Sequence, residues 1–334
     1  MAISVKDVAR TAGVSVGTVS NVLNRPEKVA TPTVERVLAV IAELGFVRND
    51  AARQLRAGRS RSLGLIVLDS ANPFFAEVAR GAEERAVAHG VSVLLGNSDQ
   101  NAEREDAYLD LFREQRVNGV LLTPRSLDDG RAAALADAGV PIVLVDAESS
   151  SGALPSVAVD DVEGGHLAVR HLLERGRRRI AFAGGPASVR QVADRLEGAR
   201  RALAEVPDAE LEVIETDALT VLSGRQVGAQ LVARDAASRP DAIFCANDLL
   251  AVGVLQGVSI LGGLRVPEDI ALIGYDDIAF AQATVVPLSS IRQPAREIGA
   301  AAVDALFAAL AEPGAEPTRV RFQPELVVRA STGG

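Results

Sequence analysis

Apolar positions along the chain recur at two different periods, and the change of period divides it. Between Val5 and Leu44 they fall at helical spacing in three short runs. Ser4 stands before the first run with Asp7 three residues on, the pairing of a capping box. That run stops near Gly13. Ser15 opens the second, which ends around Leu23–Asn24. Thr31 reads as the cap of the third, with Pro32 at the first helical position, where a missing N–H costs nothing. Its stripe is Val34, Val37, Leu38, Ile41 and Leu44. Residues 47–62, VRNDAARQLRAGRSRS, bury little and contain Gly58. They read as a linker with a short helical centre from Asp50 to Arg56.

From Leu63 the pattern turns to short continuous apolar runs: LGLIVL, VSVLLG, GVLLTP and PIVLVD, then IAFAGG, EVIET, DAIFCAN and IALIGYDD. Helix-like stretches separate them. Continuous rather than alternating runs mean strands buried on both faces, hence parallel sheets covered by helices. The two series lie on either side of SVAVD, each predicting four or five strands. SSIRQ, a helix over 294–311 and RVRFQPELVVRAS are expected to return and complete both. The expected layout is a small all-α head (1–46), the linker (47–62) and an α/β body (63–334). One body subdomain covers about 63–161 and 291–321, the other about 162–290 and 322–334.

Composition narrows the function. Apolar residues make up 48% of the 334, ample for such cores. Cys245 is the single cysteine, so no intrachain disulfide can form, and inside DAIFCAN it reads as a core residue. His89, His166 and His171 lack metal-ligand spacing; the last two are five apart on one predicted helix, which misses an i,i+4 pair. No metal and no cofactor is expected. No basic start leads into an apolar stretch, and no apolar run reaches the roughly 18–20 residues of a membrane span, so a cytoplasmic location is expected. The net charge of −9 argues against nucleic acid, but its distribution argues for it. Residues 1–62 hold ten Lys or Arg against five Asp or Glu, which leaves −14 for the rest. A basic head on an acidic body suits a DNA-binding module joined to a domain with another task.

Ala9, Gly13 and Val19 carry the head's chemistry. Their spacing is that of a helix-turn-helix: alanine lets two helices cross closely, glycine takes the turn, and valine packs the second helix on the first. The second helix would enter the major groove by its N-terminal edge. Gly17 permits close approach, Val16 can meet a thymine methyl, and Asn21 can pair bidentately with adenine. Ser15 and the helix N-terminus can hold phosphate. Ser4 and Thr18 belong to the same DNA-facing set. The bland alternative is a solvated cap followed by a packing helix; it leaves Val16 and Gly17, poor surface helix formers, unexplained.

SVKDVARTAGVSVGTVSNVLN, followed by RQLRAGRSRSLGLIV, resembles the lac repressor/galactose repressor (LacI/GalR) family of bacterial transcription regulators. NPFF, ANDLLAVG and IGYDD stand where that family has similar stretches, so the resemblance spans the chain. It implies a periplasmic-binding-protein-like body. It also implies a hinge helix that folds on operator DNA, with Leu55 as the wedge into a central base step and Ala52 and Arg56 beside it at the minor groove. Such wedges unstack a step in return for more contact. The alternative for Leu55 is a place in the body's core.

In open α/β sheets ligands bind beyond the carboxyl ends of the strands. Those ends carry Asp69, Ser70 and Asn72, then Asn97 and Asp99, Thr123, Asp146, Asn247 and Asp248, and Asp276. Asn and Asp also collect there as ordinary helix caps. The resemblance picks out Arg195, Asn247 and Asp276 as effector ligands and Phe74 as a packing surface. From both readings the expected effector site is Ser70, Asn72, Phe74, Thr123, Asp146, Arg195, Asn247 and Asp276. Leu219 stands where several family members have a stacking aromatic residue, which weakens a sugar reading without removing it.

The expected function is a dimeric repressor on a palindromic operator with a central CG step, switched by a sugar or sugar derivative; a nucleobase is the other ligand considered. RASTGG ends without a heptad tail, so a homodimer rather than a tetramer is expected. A sugar-binding transport protein would share the body but has no use for the basic head. An enzyme is not expected: there is no phosphate loop, no Ser-His-Asp order, and VEGGH at 162–166 reads as the opening of a helix.

Overall fold

The computed structural model describes residues 3–46, 60–126, 130–186 and 188–333. They form two compact units, Met1–Arg59 and Ser60–Gly334.

The first unit holds α1 (Val5–Ala12), α2 (Val16–Asn24) and α3 (Thr31–Leu44). Ser4 caps α1, and Asp7 completes the capping box as expected. Gly13 ends the helix with φ 65°, its N–H reaching the carbonyls of Ala9 and Arg10; this left-handed turn is what requires a glycine there. Val8, Ala9 and Ala12 of α1 pack with Val19 and Val22 of α2 and Val37 and Val40 of α3. Ala9, Gly13 and Val19 therefore take the three roles their spacing assigned. One capping expectation fails. Ala30, not Thr31, occupies the cap position of α3, with no side-chain cap bond, and Thr31 and Pro32 are already helical.

The second unit contains two six-stranded sheets. The first is built from β1 (Ser62–Val67), β2 (Ser92–Asn97), β3 (Val120–Leu122), β4 (Ile142–Val145), β5 (Ser156–Val159) and β11 (Arg319–Phe322), in the order β11-β5-β4-β3-β1-β2. The second uses β6 (Arg179–Gly184), β7 (Glu210–Glu215), β8 (Ala242–Cys245), β9 (Ala271–Asp276), β10 (Ser289–Arg292) and β12 (Glu325–Val327), in the order β12-β10-β9-β8-β6-β7. All pairings are parallel except β10 with β12. The series thus grow to six strands each because the tail returns to both. β1 opens at Ser62 and Ser60 is buried, so the body begins inside the stretch read as linker. The chain crosses between the sheets after β5, β10 and β11. The second crossing follows Arg292, just beyond the expected boundary near 291.

Helices cover both sheets. α4 (Pro73–Ala88) packs on α11 (Ala295–Ala311), and α7 (Asp161–Glu174) packs on α8 (Arg190–Ala204). VEGGH does open α7. These pairs cross at glycines. A Cβ on Gly165 of α7 would lie 2.0 Å from the Arg195 carbonyl oxygen, and one on Gly198 of α8 would lie 1.9 Å from that of Val162. Gly81 and Gly299 make the same contact between α4 and α11. Cys245 is fully buried, as expected of a core residue.

Candidate functional site

Two regions carry candidate chemistry, one in each unit. In the head, Ser15 caps α2 and accepts from the Thr18 N–H at 3.0 Å. The two hydroxyls also pair at 2.9 Å. Val16, Gly17 and Asn21 are exposed on the following turn, and Ser4 lies exposed at the cap of α1. A Cβ on Gly17 would meet nothing nearer than the Ser15 hydroxyl oxygen at 3.6 Å. Packing within the head therefore does not ask for glycine at 17; the missing side chain leaves room for something outside it. Ala52, Leu55 and Arg56 lie outside the described residues.

In the body, a cleft opens beyond the carboxyl ends of the strands. Asn72, Phe74, Asp146, Arg195, Asn247 and Asp276 line it. The elements explain how residues so far apart converge. Asn72 ends the turn after β1 and caps α4, accepting from the Phe74 N–H at 3.0 Å, while its amide donates to Asp276 at 3.0 Å. Asn247 likewise caps α10 (Asp248–Leu255) by accepting from Leu250 N–H, and its amide donates to the Leu219 carbonyl at 3.2 Å. The cap and ligand readings were alternatives in the sequence; here one oxygen serves the cap and the amide faces the cleft.

Arg195 is the cleft's lining cation. Its Nε donates to Asp161 at 2.8 Å and its Nη1 to the Ala246 carbonyl at 2.7 Å. Asp276 lies 3.8 Å away, and the guanidinium rests 3.7 Å over the centre of the Tyr275 ring. Burial opposes its charge, but Asp161 and the groups beside it outweigh that and hold it ionised. The carboxylates are affected in the opposite sense. Burial lifts Asp276 to about 6 against the pull of Arg195. Burial, with Asp161 adding to it, lifts Asp146 well above the ordinary range.

Two expected residues do not line the cleft. Ser70 is exposed, its N–H donating to Asn97 at 3.1 Å. Thr123 is fully buried with its hydroxyl unpaired. Among the other strand-end residues, Asp99 pairs with Arg104 at the surface. Asp248 turns inward to Ser290 and the Ile278 N–H, which makes it structural. The sequence reading missed Gln191, which donates to the Asp146 carbonyl at 2.7 Å and its carboxylate at 3.0 Å. It also missed Asp161, and Gln293, which donates to Asp276 at 2.8 Å. Gln191 was detectable: it stands four residues before Arg195, on the same helix face.

Family models match both units. Residues 4–49 match bacterial regulatory proteins of the lacI family, and residues 169–332 match a periplasmic binding protein-like domain. The chain is 34% identical over 334 residues to the HTH-type transcriptional repressor PurR of Aliivibrio fischeri (strain MJ11), with 98% of each chain covered. The chain belongs to the LacI family. Its fold matches a lac repressor dimer bound to operator and the anti-inducer ONPF, with TM-score 0.85, 30% identity and 99% of each chain covered. It also matches the transcriptional regulator CelR in complex with cellobiose, at TM-score 0.72 and 31% identity over 98% of this chain and 99% of that one. As a LacI-family member it is a DNA-binding transcriptional regulator and not an enzyme. Among the described residues no helix is long and apolar enough to cross a membrane.

The raised Asp276 makes a pH prediction for this LacI-family body. A carboxyl at about 6 when folded, against 3.8 as its ordinary value, favours folding while protonated. That contribution is full below about 4 and fades as pH rises through 6. The melting temperature of the ligand-free body should therefore fall less between pH 5 and 7.5 in Asp276→Asn than in the parent. Equal slopes in the two proteins would remove Asp276 as the source.

Proposed function

We propose that this regulator is a cytoplasmic homodimeric repressor that binds a palindromic operator and is switched by a small sugar or sugar derivative in the body cleft. The observation that carries the reading is the joining of both subdomains across that cleft. Asn72, from the first sheet, reaches Asp276 at the end of β9, and Gln191 of α8 reaches Asp146 at the end of β4. A ligand that competes for these groups changes how the subdomains meet, which is a two-state element an effector can bias; such coupling energies run to ~1–3 kcal/mol. The likeness to a regulator solved with cellobiose supports the sugar, and the likeness to a repressor dimer on its operator supports the dimer. Exposed Ile260, Leu261 and Phe280 offer apolar surface for a second copy to cover.

Operator contact falls to Ser4, Ser15, Val16, Gly17, Thr18 and Asn21 in the head and Ala52, Leu55 and Arg56 in the hinge. Leu55→Ala should weaken binding to a palindromic duplex with a central CG step at least tenfold, since a wedge that kinks DNA involves a few kcal/mol. Effector affinity should hold. Fluorescence anisotropy with labelled duplex checks this, and an unchanged Kd removes Leu55 from the contact.

A nucleobase effector is the second reading, kept in view by the likeness to repressors named PurR. Leu219 withholds a stacking face from a sugar and a nucleobase alike, and the aromatic residues that line the cleft are Phe74 and Phe75.

A further inference from the structure

Asp276 reaches the cleft from a backbone that local preference disfavours. It ends β9 with φ 103°, and Asp277 follows with φ 52°, two consecutive non-glycine residues on the left-handed side. L-residues avoid that region, and such turns persist where the surroundings over-determine them. The surroundings here are specific. The Asp277 N–H donates to Ser290 Oγ at 3.0 Å, and the Ile278 N–H donates to Asp248 Oδ2 at 2.9 Å. The Asp277 carboxylate lies between two guanidiniums. Arg292 Nε donates to one oxygen at 2.8 Å, and Arg329 Nη2 stands 2.6 Å from the other.

The two arginines are unequal. The Arg292 side chain, on β10, is 46% exposed and shares its charge with Glu325 of β12, so water weakens its hold. The Arg329 side chain is 17% exposed against 6% for Asp277, so that pair is screened far less. Arg329 is also fixed at its base. Its N–H donates to Ser289 Oγ at 2.8 Å, and its Nη1 donates to the Leu288 carbonyl at 2.6 Å. Two residues on, Ser331 Oγ donates to the Leu272 carbonyl of β9. The segment after β12 is therefore pinned to β9 and β10 and carries one largely buried cation to the turn that follows β9. Pairing β12 with β10 completes the sheet without that cation.

We propose that Arg329, seconded by Arg292, is a positioning residue of the cleft: by clamping the Asp277 carboxylate, the C-terminal segment holds the strained turn that aims Asp276 at Asn72 and Gln293. Asp276 accepts from those two amides at 3.0 and 2.8 Å, and the first bond joins the subdomains. Neither arginine lines the cleft, so each acts through Asp277. The value of the clamp to an effector rests on the reading of the cleft as the effector site; the clamp itself can be tested without a ligand.

The chain's two tyrosines supply the probe. Tyr275 precedes Asp276 and is fully buried beneath the Arg195 guanidinium, while Tyr108 packs near the first sheet. Full-length protein labelled with 3-fluorotyrosine gives separate fluorine signals for the two, assigned by Tyr108→Phe. Arg329→Gln keeps the backbone bonds of the tail. It should move or split the Tyr275 signal and leave that of Tyr108 in place. Hydrogen exchange read by mass spectrometry should rise about tenfold or more over residues 274–280, with β6 and β8 unchanged. Arg329→Lys keeps a cation beside Asp277 without the fork, so it is the milder variant for folding and should show both changes at smaller size. Asp277→Asn retains a residue that tolerates the left-handed turn. Adding Arg329→Gln to it should change neither reading further, because the arginine has lost what it held.

Parental readings in both Arg329 variants overturn the proposal. So does exchange that rises equally in β6 and β8, which marks general loosening, and so do additive effects in the double variant. A negative result strikes the clamp and leaves the effector reading standing, whereas a cleft that no effector enters would strike that reading and leave the clamp.

Discussion

Arg195→Ala should unfold the body at markedly lower denaturant and abolish the stabilisation given by its effector. Arg195 is 4% exposed, and its guanidinium bonds to Asp161 at 2.8 Å and to the Ala246 carbonyl at 2.7 Å. Removing it strands a buried carboxylate, and breaking a buried pair from one side costs about 3–5 kcal/mol. That is a large part of the 5–15 kcal/mol that roughly holds a domain together. Lysine should rescue poorly, since one ammonium cannot reproduce the fork that reaches Asp161 and the Ala246 carbonyl while lying over the Tyr275 ring. Pairing Arg195→Met with Asp161→Asn separates the two roles. The double variant should recover most of the lost stability, because the stranded charge is gone, yet remain blind to effector. Urea titration and a thermal shift on the same samples measure both. Restored effector response in the double variant would show that Arg195 only supports the cleft's structure.

The second large effect belongs to a residue with no polar atom in its side chain. Gly198→Ala puts a Cβ 1.9 Å from the Val162 carbonyl oxygen and 2.7 Å from the His166 nitrogen. Both obstacles are backbone, so no rotamer change relieves them and α7 must move off α8. The displacement also reaches the cleft, because α7 begins at Asp161 and α8 carries Arg195. Overpacking a tight contact costs about 1–3 kcal/mol or more, and here the expected loss is at the upper end, with effector binding weakened at least tenfold. Calorimetric melting with and without effector tests it. A variant with parental melting temperature and affinity would mean that the helices separate freely. An alanine at Gly17, where the nearest neighbour is 3.6 Å away, meets no such obstacle.

Much of this protein is local and was open to reading from the chain. The capping box at Ser4 and Asp7, the turn at Gly13 and the cap at Ser15 involve residues three to five positions apart, so spacing carries them. Continuous apolar runs predicted parallel sheets because such strands are buried on both faces, and the strand ends pointed to the cleft side because open α/β sheets bind ligands beyond their carboxyl ends. The cap of α3 was misread since Thr, Pro and Ala all fit a first turn, and only the backbone angle at Ala30 distinguishes them. The cleft is of another kind. The Asn72–Asp276 bond joins residues 204 positions apart, and Gln191 meets Asp146 across 45. No spacing rule links such pairs; the crossing after β5 puts the members of each pair in different subdomains, and only the assembled body brings them together. Nor did spacing predict the glycine crossings, since a glycine is demanded there by a neighbouring helix and not by its own backbone. The sequence by itself determined the head's motif, the order of strands and helices, and the basic and acidic division of the chain. Only the tertiary structure decided which strand-end carboxylates share a cavity and which partners they take within it, because burial and partner choice depend on groups brought close by the whole fold.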